Sequence, residues 1–156
     1  MVTPIEIYID ADACPVKEAI FKVAERYQLK VYVVANHPKR LPESSWIVPV
    51  VVENKFDAVD DWIASQVKTH DLVVTNDVLL ADRCIKKGAV GIDPRGNILD
   101  ENNIGEALSM RELLSELRQR GDLKTGPKSL GKKHRSQFLD NLDKIINQLI
   151  RKSNVK

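Results

Sequence analysis

The chain has 156 residues, of which 43% are hydrophobic and 29% are charged, with seven glycines and seven prolines. This length predicts one compact domain, and the composition excludes collagen-like and wholly disordered proteins. Two cysteines cannot form a framework of several disulfides, so we expect a protein of the reducing cytoplasm. No apolar run approaches the ~18 residues that span a bilayer, and we therefore expect no membrane segment.

The net charge of +2 conceals an uneven distribution along the chain. Residues 1–110 contain 12 Lys and Arg against 17 Asp and Glu, whereas residues 111–156 contain 12 against 5. The two parts therefore carry charges of −5 and +7. Such asymmetry is typical of proteins that handle a polyanion beside a carboxylate site, although a solvated helix and loop would also produce it.

Strand and helix patterns alternate along the first hundred residues. Short apolar runs rich in Val and Ile predict strands, and apolar residues at three-and-four spacing predict helices. The predicted strands are residues 5–9, 29–35, 47–52, 71–75, 89–92 and 98–99, and the predicted helices are residues 15–27, 56–67 and 78–87. The turn signature at residues 93–97 (DPRGN) predicts a small hairpin between the last two strands.

The alternation of strands and helices predicts a three-layer α/β domain with a mostly parallel sheet. The continuous apolar runs at residues 29–35 and 47–52 are typical of strands that are covered on both faces. We expect a single domain over residues 1–156, with an α/β core at 1–103. Residues 104–156 are predicted to form a helix up to Arg120, a long basic loop at 121–135 and a closing amphipathic helix.

Several aspartates follow predicted strands or begin a predicted helix. Asp10 and Asp12 come after the first strand, and Asp77 comes after the strand at residues 71–75. Asp60 and Asp61 lie in the first turns of the second helix, as does Asp57, which also suits a simple role at a helix N-terminus. Ligands of open α/β sheets bind beyond the carboxyl ends of the strands, so these side chains are expected to meet there. Clustered carboxylates repel one another unless a cation neutralises them, and oxygen ligands favour Mg²⁺ or Mn²⁺ over Zn²⁺.

Four segments of the chain carry a resemblance to a known family. Residues 8–17 (YIDADACPVK) closely resemble the opening signature of the bacterial YaiI/YqxD family of uncharacterised proteins, with support from residues 57–63 (DAVDDWI), 73–77 (VVTND) and 93–96 (DPRG). The resemblance implies a PIN-like fold, which is a Rossmann-like arrangement associated with metal-dependent ribonuclease sites. It places the first-strand aspartate on Asp10, the helix acidic residue on Asp60 or Asp61, and the later aspartate on Asp77.

We therefore expect a nuclease that uses Mg²⁺ or Mn²⁺ to hydrolyse RNA or another phosphodiester. The expected catalytic residues are Asp10, Asp61 and Asp77, and Asp12 and Asp60 complete the expected set of metal ligands. Cationic and polar side chains are expected to contact the substrate or its phosphates, namely Lys17, Thr75, Asn76, Lys128, Lys132, Lys133 and Arg135.

Two alternatives remain open from the sequence. Asp10 and Asp12 after a strand, followed later by Thr75 and by Lys86 or Lys87, imitate the plan of haloacid-dehalogenase phosphatases. In that plan the first aspartate is the nucleophile and the second is the general acid. The other alternative is an interaction module for nucleic acid or protein that has no catalytic activity.

Overall fold

The structure, a computed structural model, describes residues 5–11, 16–121 and 132–154. It contains six strands and five helices within those ranges. The strands are β1 (Ile7–Asp10), β2 (Val31–Ala35), β3 (Ile47–Val51), β4 (Leu72–Val74), β5 (Val90–Ile92) and β6 (Ile98–Leu99). The helices are α1 (Lys17–Tyr27), α2 (Ala58–Gln66), α3 (Val78–Ile85), α4 (Ile104–Gln119) and α5 (Lys132–Asn154).

The strands form one sheet in the order β3-β2-β1-β4-β5-β6. The first five strands are parallel, and only β6 is antiparallel to its neighbour β5. The chain moves outward from β1 to β3 and then returns to the other side of β1 with β4. The predicted α/β domain is confirmed, and its strand order reverses between β1 and β4, where Rossmann-like proteins bind ligands.

Helices cover both faces of the sheet and make three layers. Successive strand residues point to opposite faces, so Ile7 and Ile9 pack with α1 and α5, whereas Tyr8 packs with α2 and α3. The α5 helix contributes Phe138 and Leu142 to the first of these cores, and both side chains are fully buried. The predicted closing helix is therefore an integral layer of the domain.

The third strand differs from its prediction. The apolar run at residues 47–52 indicated a strand covered on both faces, but β3 is an edge strand with one neighbour, and Val51 is 53% exposed. Pro49 gives the physical reason, because a residue without an N–H group is tolerated on an edge strand and not in the middle of a sheet. In the sequence, Pro49 already argued against a central place for β3 in the sheet.

The predicted basic loop at residues 121–135 is too long by four residues. The α5 helix begins at Lys132, so Lys133, His134 and Arg135 lie in its first turn. None of these residues breaks a helix, and the buried stripe of α5 begins only at Phe138, which leaves the first turn free to be polar. Residues 122–131, and with them Lys128, lie outside the described residues. Among the helices that are described, none has both the length and the hydrophobicity to cross a bilayer.

Candidate functional site

Thr75 connects two of the predicted site aspartates at the carboxyl ends of β1 and β4. Its hydroxyl group donates a hydrogen bond to Oδ2 of Asp10 at 3.3 Å and accepts one from the backbone N–H of Asp77 at 3.0 Å. The side chain is only 1% exposed. A buried hydroxyl group with two protein partners positions its neighbours. Thr75 therefore stands where it can orient Asp10 and Asp77, and its predicted contact with substrate stays a prediction.

Asp77 is held at the start of α3. Its backbone is extended, with φ −94° and ψ 108°, and its Oδ1 accepts a hydrogen bond from the N–H of Leu79 at 2.9 Å. This is the geometry of an N-cap, in which a carboxylate satisfies a helix N–H group that has no partner within the helix. The cap fixes the Asp77 side chain at the edge of the sheet, next to Thr75 and Asp10.

Asp60 brings a third carboxylate to this edge from α2. Burial raises the pKa of Asp60 from 3.8 to about 6, and the negative charges of Asp77 and Asp10 are the next causes. A smaller contribution comes from Asp57, and a hydrogen bond to Asp77 also favours the protonated form. Like charges raise a carboxyl pKa only when the groups are close. Asp10, Asp60 and Asp77 thus form one group, the carboxylate cluster.

Asp61 belongs to a different part of the surface. Its Oδ1 accepts a hydrogen bond from Nη1 of Arg83 at 2.9 Å, in an ion pair whose side chains are 65% and 47% exposed, respectively. Neighbouring residues on a helix point about 100° apart, so Asp60 and Asp61 cannot both face the sheet edge. The buried residues of α2 include Ala64, one turn beyond Asp60, so Asp60 lies beside the face of the helix that packs on the sheet.

The other predicted site residues lie at varied distances from the carboxylate cluster. Lys17 is close, because its Nζ donates to the backbone carbonyl of Ala11, the residue after Asp10. Asn76 is exposed between Thr75 and Asp77. Lys133 and Arg135 are exposed at the start of α5, and no hydrogen bond or ion pair joins them to a described carboxylate. Asp12 and Lys128 lie outside the described residues, and of Lys132 only the backbone is described.

The donor chemistry of the carboxylate cluster fits a hard dication. Within residues 5–11, 16–121 and 132–154, no three acidic, histidine or cysteine side chains already stand in a metal-ligating arrangement. Burial of Asp60 and the nearby charges of Asp77 and Asp10 raise its pKa to about 6, so this carboxyl group holds a proton more tightly than an ordinary one does. A divalent cation can replace that proton, because it supplies positive charge to the same oxygens.

We expect Asp60→Asn to stabilise the metal-free protein at neutral pH. The folded-state pKa of about 6 lies above the ordinary 3.8, so the folded chain binds this proton more tightly than the unfolded chain does. The stability from that proton is complete below pH 3.8 and is lost as the pH rises through 6. Asn carries no charge, so it removes both the cost of burying an ionised carboxylate and the repulsion from Asp77 and Asp10. Melting in a chelator should therefore show a rise in Tm of about 2 to 4 °C, after allowing for partial exposure.

The matched control for this prediction is Asp61→Asn, which changes the adjacent carboxylate on the same helix. It removes an exposed ion pair with Arg83, so its Tm should stay the same or fall slightly at every pH. The gain from Asp60→Asn should also disappear at acid pH, near the ordinary carboxyl pKa of about 4. An equal effect of the two substitutions at neutral pH would contradict the assignment of Asp60 to the carboxylate cluster.

Comparison with known proteins gives a clear family assignment. Residues 8–148 match the family described as uncharacterised bacterial proteins of the YaiI/YqxD type. The chain belongs to the YaiI/YqxD family. UPF0178 proteins are similar over nearly the whole chain: the one from Azorhizobium caulinodans is 48% identical, with 95% of this chain and 93% of that protein covered. The one from Gluconacetobacter diazotrophicus is 46% identical, covering 91% and 92%, and the one from Trichlorobacter lovleyi is 45% identical, covering 94% and 97%.

The YaiI/YqxD match includes all three members of the carboxylate cluster and extends into α5. No solved structure matches the chain. The family resemblance seen in the sequence is confirmed. Because the family is described only as uncharacterised, the chemistry of the site has to be argued from its residues.

Proposed function

We propose that this YaiI/YqxD protein is a Mg²⁺- or Mn²⁺-dependent hydrolase of RNA or another phosphodiester. The observation that carries the proposal is the convergence of Asp10, Asp60 and Asp77 at one edge of the sheet, where burial, and after it the charges of Asp77 and Asp10, raise the pKa of Asp60 to about 6. These three residues would hold the ion, and Asp12, which lies outside the described residues, remains a proposed fourth ligand. A bound dication polarises a phosphoryl oxygen and lowers the pKa of a bound water, which is the chemistry that phosphodiester hydrolysis requires.

The remaining residues of the site have supporting roles in this proposal. Thr75 holds Asp10 and Asp77 in fixed orientations through its two hydrogen bonds, so less ordering is needed when the ion binds. Lys17 neutralises part of the acidic edge through its contact beside Asp10 and attracts a phosphate. Asp61, paired with Arg83, is left out of the site.

We place this activity in the cytoplasm. Cys84 is buried and unpaired, and burial raises the pKa of its thiol to about 12, so the thiol stays protonated and unreactive. A free thiol in the core suits a reducing compartment.

Direct metal binding tests the proposal before any assay of activity. Mn²⁺ should bind the protein at neutral pH, as measured by titration calorimetry and by the loss of the free-ion electron paramagnetic resonance signal. Asp60→Asn should weaken the binding by at least about tenfold, whereas Asp61→Asn should leave it unchanged. The same preparations should cleave single-stranded RNA with Mg²⁺ or Mn²⁺ and stop in a chelator. Cleavage that continues in the chelator, or equal Mn²⁺ affinity in both variants, would refute the proposal.

Two other results would identify the alternative functions. Release of phosphate from small monoesters, with an aspartyl adduct trapped at Asp10, would indicate a phosphatase. Binding of RNA without cleavage under every metal condition would indicate an interaction module.

A further inference from the structure

A groove of about 750 Å³ adjoins the carboxylate cluster. Thr75, Asn76 and Asp77 line it on the sheet side, and α4 and the turn between β5 and β6 supply the other walls. Three arginines also line the groove. They are Arg95 from the turn and Arg111 and Arg118 from α4.

The guanidinium groups of these arginines are available to a ligand. All three residues are exposed, and in the described part of the chain no ion pair or hydrogen bond engages their side chains. Two acidic residues line the same groove: Asp77 caps α3 through the N–H of Leu79, and Asp93 lies in the turn between β5 and β6. The Asp93 carboxylate accepts hydrogen bonds from the N–H of Arg95 and from the N–H and Nδ2 of Asn97, at 2.9 to 3.0 Å, so it is used within its own turn.

The spacing of the arginines suits a chain of phosphates. Arg111 and Arg118 are seven residues apart on one face of α4, which is two helical turns or about 10 Å. Two cations that far apart along one helix can contact different phosphates of the same strand. Arginine is also the residue that binds phosphate oxygens through two parallel hydrogen bonds.

Apolar side chains stand between the cations. Met110 and Leu114 of α4 and Leu99 of β6 line the same groove, and Met110 is 54% exposed. No residue of α4 is fully buried: both arginines and Met110 are exposed, and Leu114 is half-buried. Unpaired bases have apolar faces that such side chains can cover, whereas the bases of a duplex are stacked inside it.

From this juxtaposition we infer that the groove formed by Arg95, Arg111 and Arg118 binds a single-stranded nucleic acid and leads it to the carboxylate cluster, an assignment of substrate that rests on the proposed function. The phosphates contact the arginines, and the bases lie against Met110, Leu114 and Leu99. The contacts recognise the backbone and apolar base faces, so binding is independent of base sequence.

Binding in a chelator, where no cleavage occurs, tests this inference. A fluorescein-labelled polyuridylate of about 12 nucleotides should bind the wild-type protein in fluorescence anisotropy, with affinity falling steeply between about 50 and 200 mM salt. The double variant Arg111→Gln/Arg118→Gln should bind at least about tenfold more weakly at low salt, and its slope of log affinity against log salt should be smaller by about 1.4.

The matched control is Arg120→Gln/Arg151→Gln, which removes the same charge from exposed arginines that do not line the groove. It should retain nearly all of the affinity. Equal losses in the two double variants would overturn the inference, as would the absence of RNA binding by the wild type at low salt. Displacement of the RNA by polyglutamate as effectively as by unlabelled polyuridylate would also overturn it. The groove would then bind any polyanion and would not distinguish nucleic acid from the others.

The experiments distinguish failure of the proposed RNA-binding groove from failure of the proposed hydrolase activity. Specific loss of binding in the groove variant, with no metal-dependent cleavage by the wild type, would support the groove and refute the hydrolase. Metal-dependent cleavage that the groove variant performs with unchanged binding would support the hydrolase and refute the groove.

Discussion

Replacing Asp10 with Asn is expected to lower the rate of metal-dependent RNA cleavage by at least about 100-fold, since even residues that only support metal ligands contribute 10- to 100-fold. Asn keeps the size of the side chain and an oxygen that can accept the hydrogen bond from Thr75. It removes one negative charge from the carboxylate cluster, which weakens the attraction for a dication. The loss should therefore appear in the reaction while the fold is retained.

The measurement is initial cleavage rates of single-stranded RNA with saturating Mn²⁺, with circular dichroism to verify folding. Asp61→Asn is the control, because Asp61 pairs with Arg83 outside the carboxylate cluster. We expect its rate to stay within about twofold of the wild type. A hundredfold loss in Asp61→Asn, with normal activity in Asp10→Asn, would show that the sequence-based choice of Asp61 was right and that the site is centred elsewhere.

Gly96→Ala is expected to reduce the free energy of unfolding by about 2 to 4 kcal/mol. Gly96 has a φ of +93°, which favours glycine, and its N–H bonds to the carbonyl of Asp93 to close the turn. A Cβ at this position would lie 3.0 Å from the carbonyl oxygen of Gln137 and 3.0 Å from Cα of Phe138. Both atoms are α5 backbone, so relief would require the helix to move away from the core.

Gly105→Ala is the matched control for this substitution. Gly105 is in the first turn of α4, and a Cβ there would have no neighbouring atom within 4 Å. Alanine should raise the free energy of unfolding by about 0.5 to 1 kcal/mol, because it has less backbone freedom to lose. Urea unfolding of both variants gives the comparison. A Gly96→Ala variant that is as stable as the wild type or more stable would contradict the close packing of α5 on the turn that carries Arg95.

The elements with strong local patterns were predictable. The hairpin between β5 and β6 formed as the DPRGN signature indicated, with Gly96 supplying the positive φ and the Asp93 carboxylate accepting three hydrogen bonds within the turn. The burial of β3 on both faces was predicted incorrectly, since an apolar run reports hydrophobicity and not how many neighbours cover the strand. Pro49 was the residue that indicated an edge strand, because proline has no N–H group for a second neighbouring strand.

The candidate site was predictable in part for the same reason. Asp10 and Asp77 follow parallel strands, and strand ends of one sheet meet at one edge, so their proximity required only a correct reading of the strands. To choose between Asp60 and Asp61, one has to know which side of α2 faces the sheet, which is set by the orientation of the helix about its own axis. That orientation depends on how Val59 and Ile63 pack against the sheet, and the two neighbouring carboxylates look alike in the sequence.

The sequence by itself determined the fold class, the family and the two strand-end aspartates, because hydrophobic periodicity and residues that follow strands are local properties of the chain. Only the tertiary structure decided that Asp60 joins them, that Asp61 pairs with Arg83, and that Arg95 lies in one groove with Arg111 and Arg118. These relations join segments that are far apart in sequence, and their distances follow from how helices pack on the sheet, which no local pattern encodes.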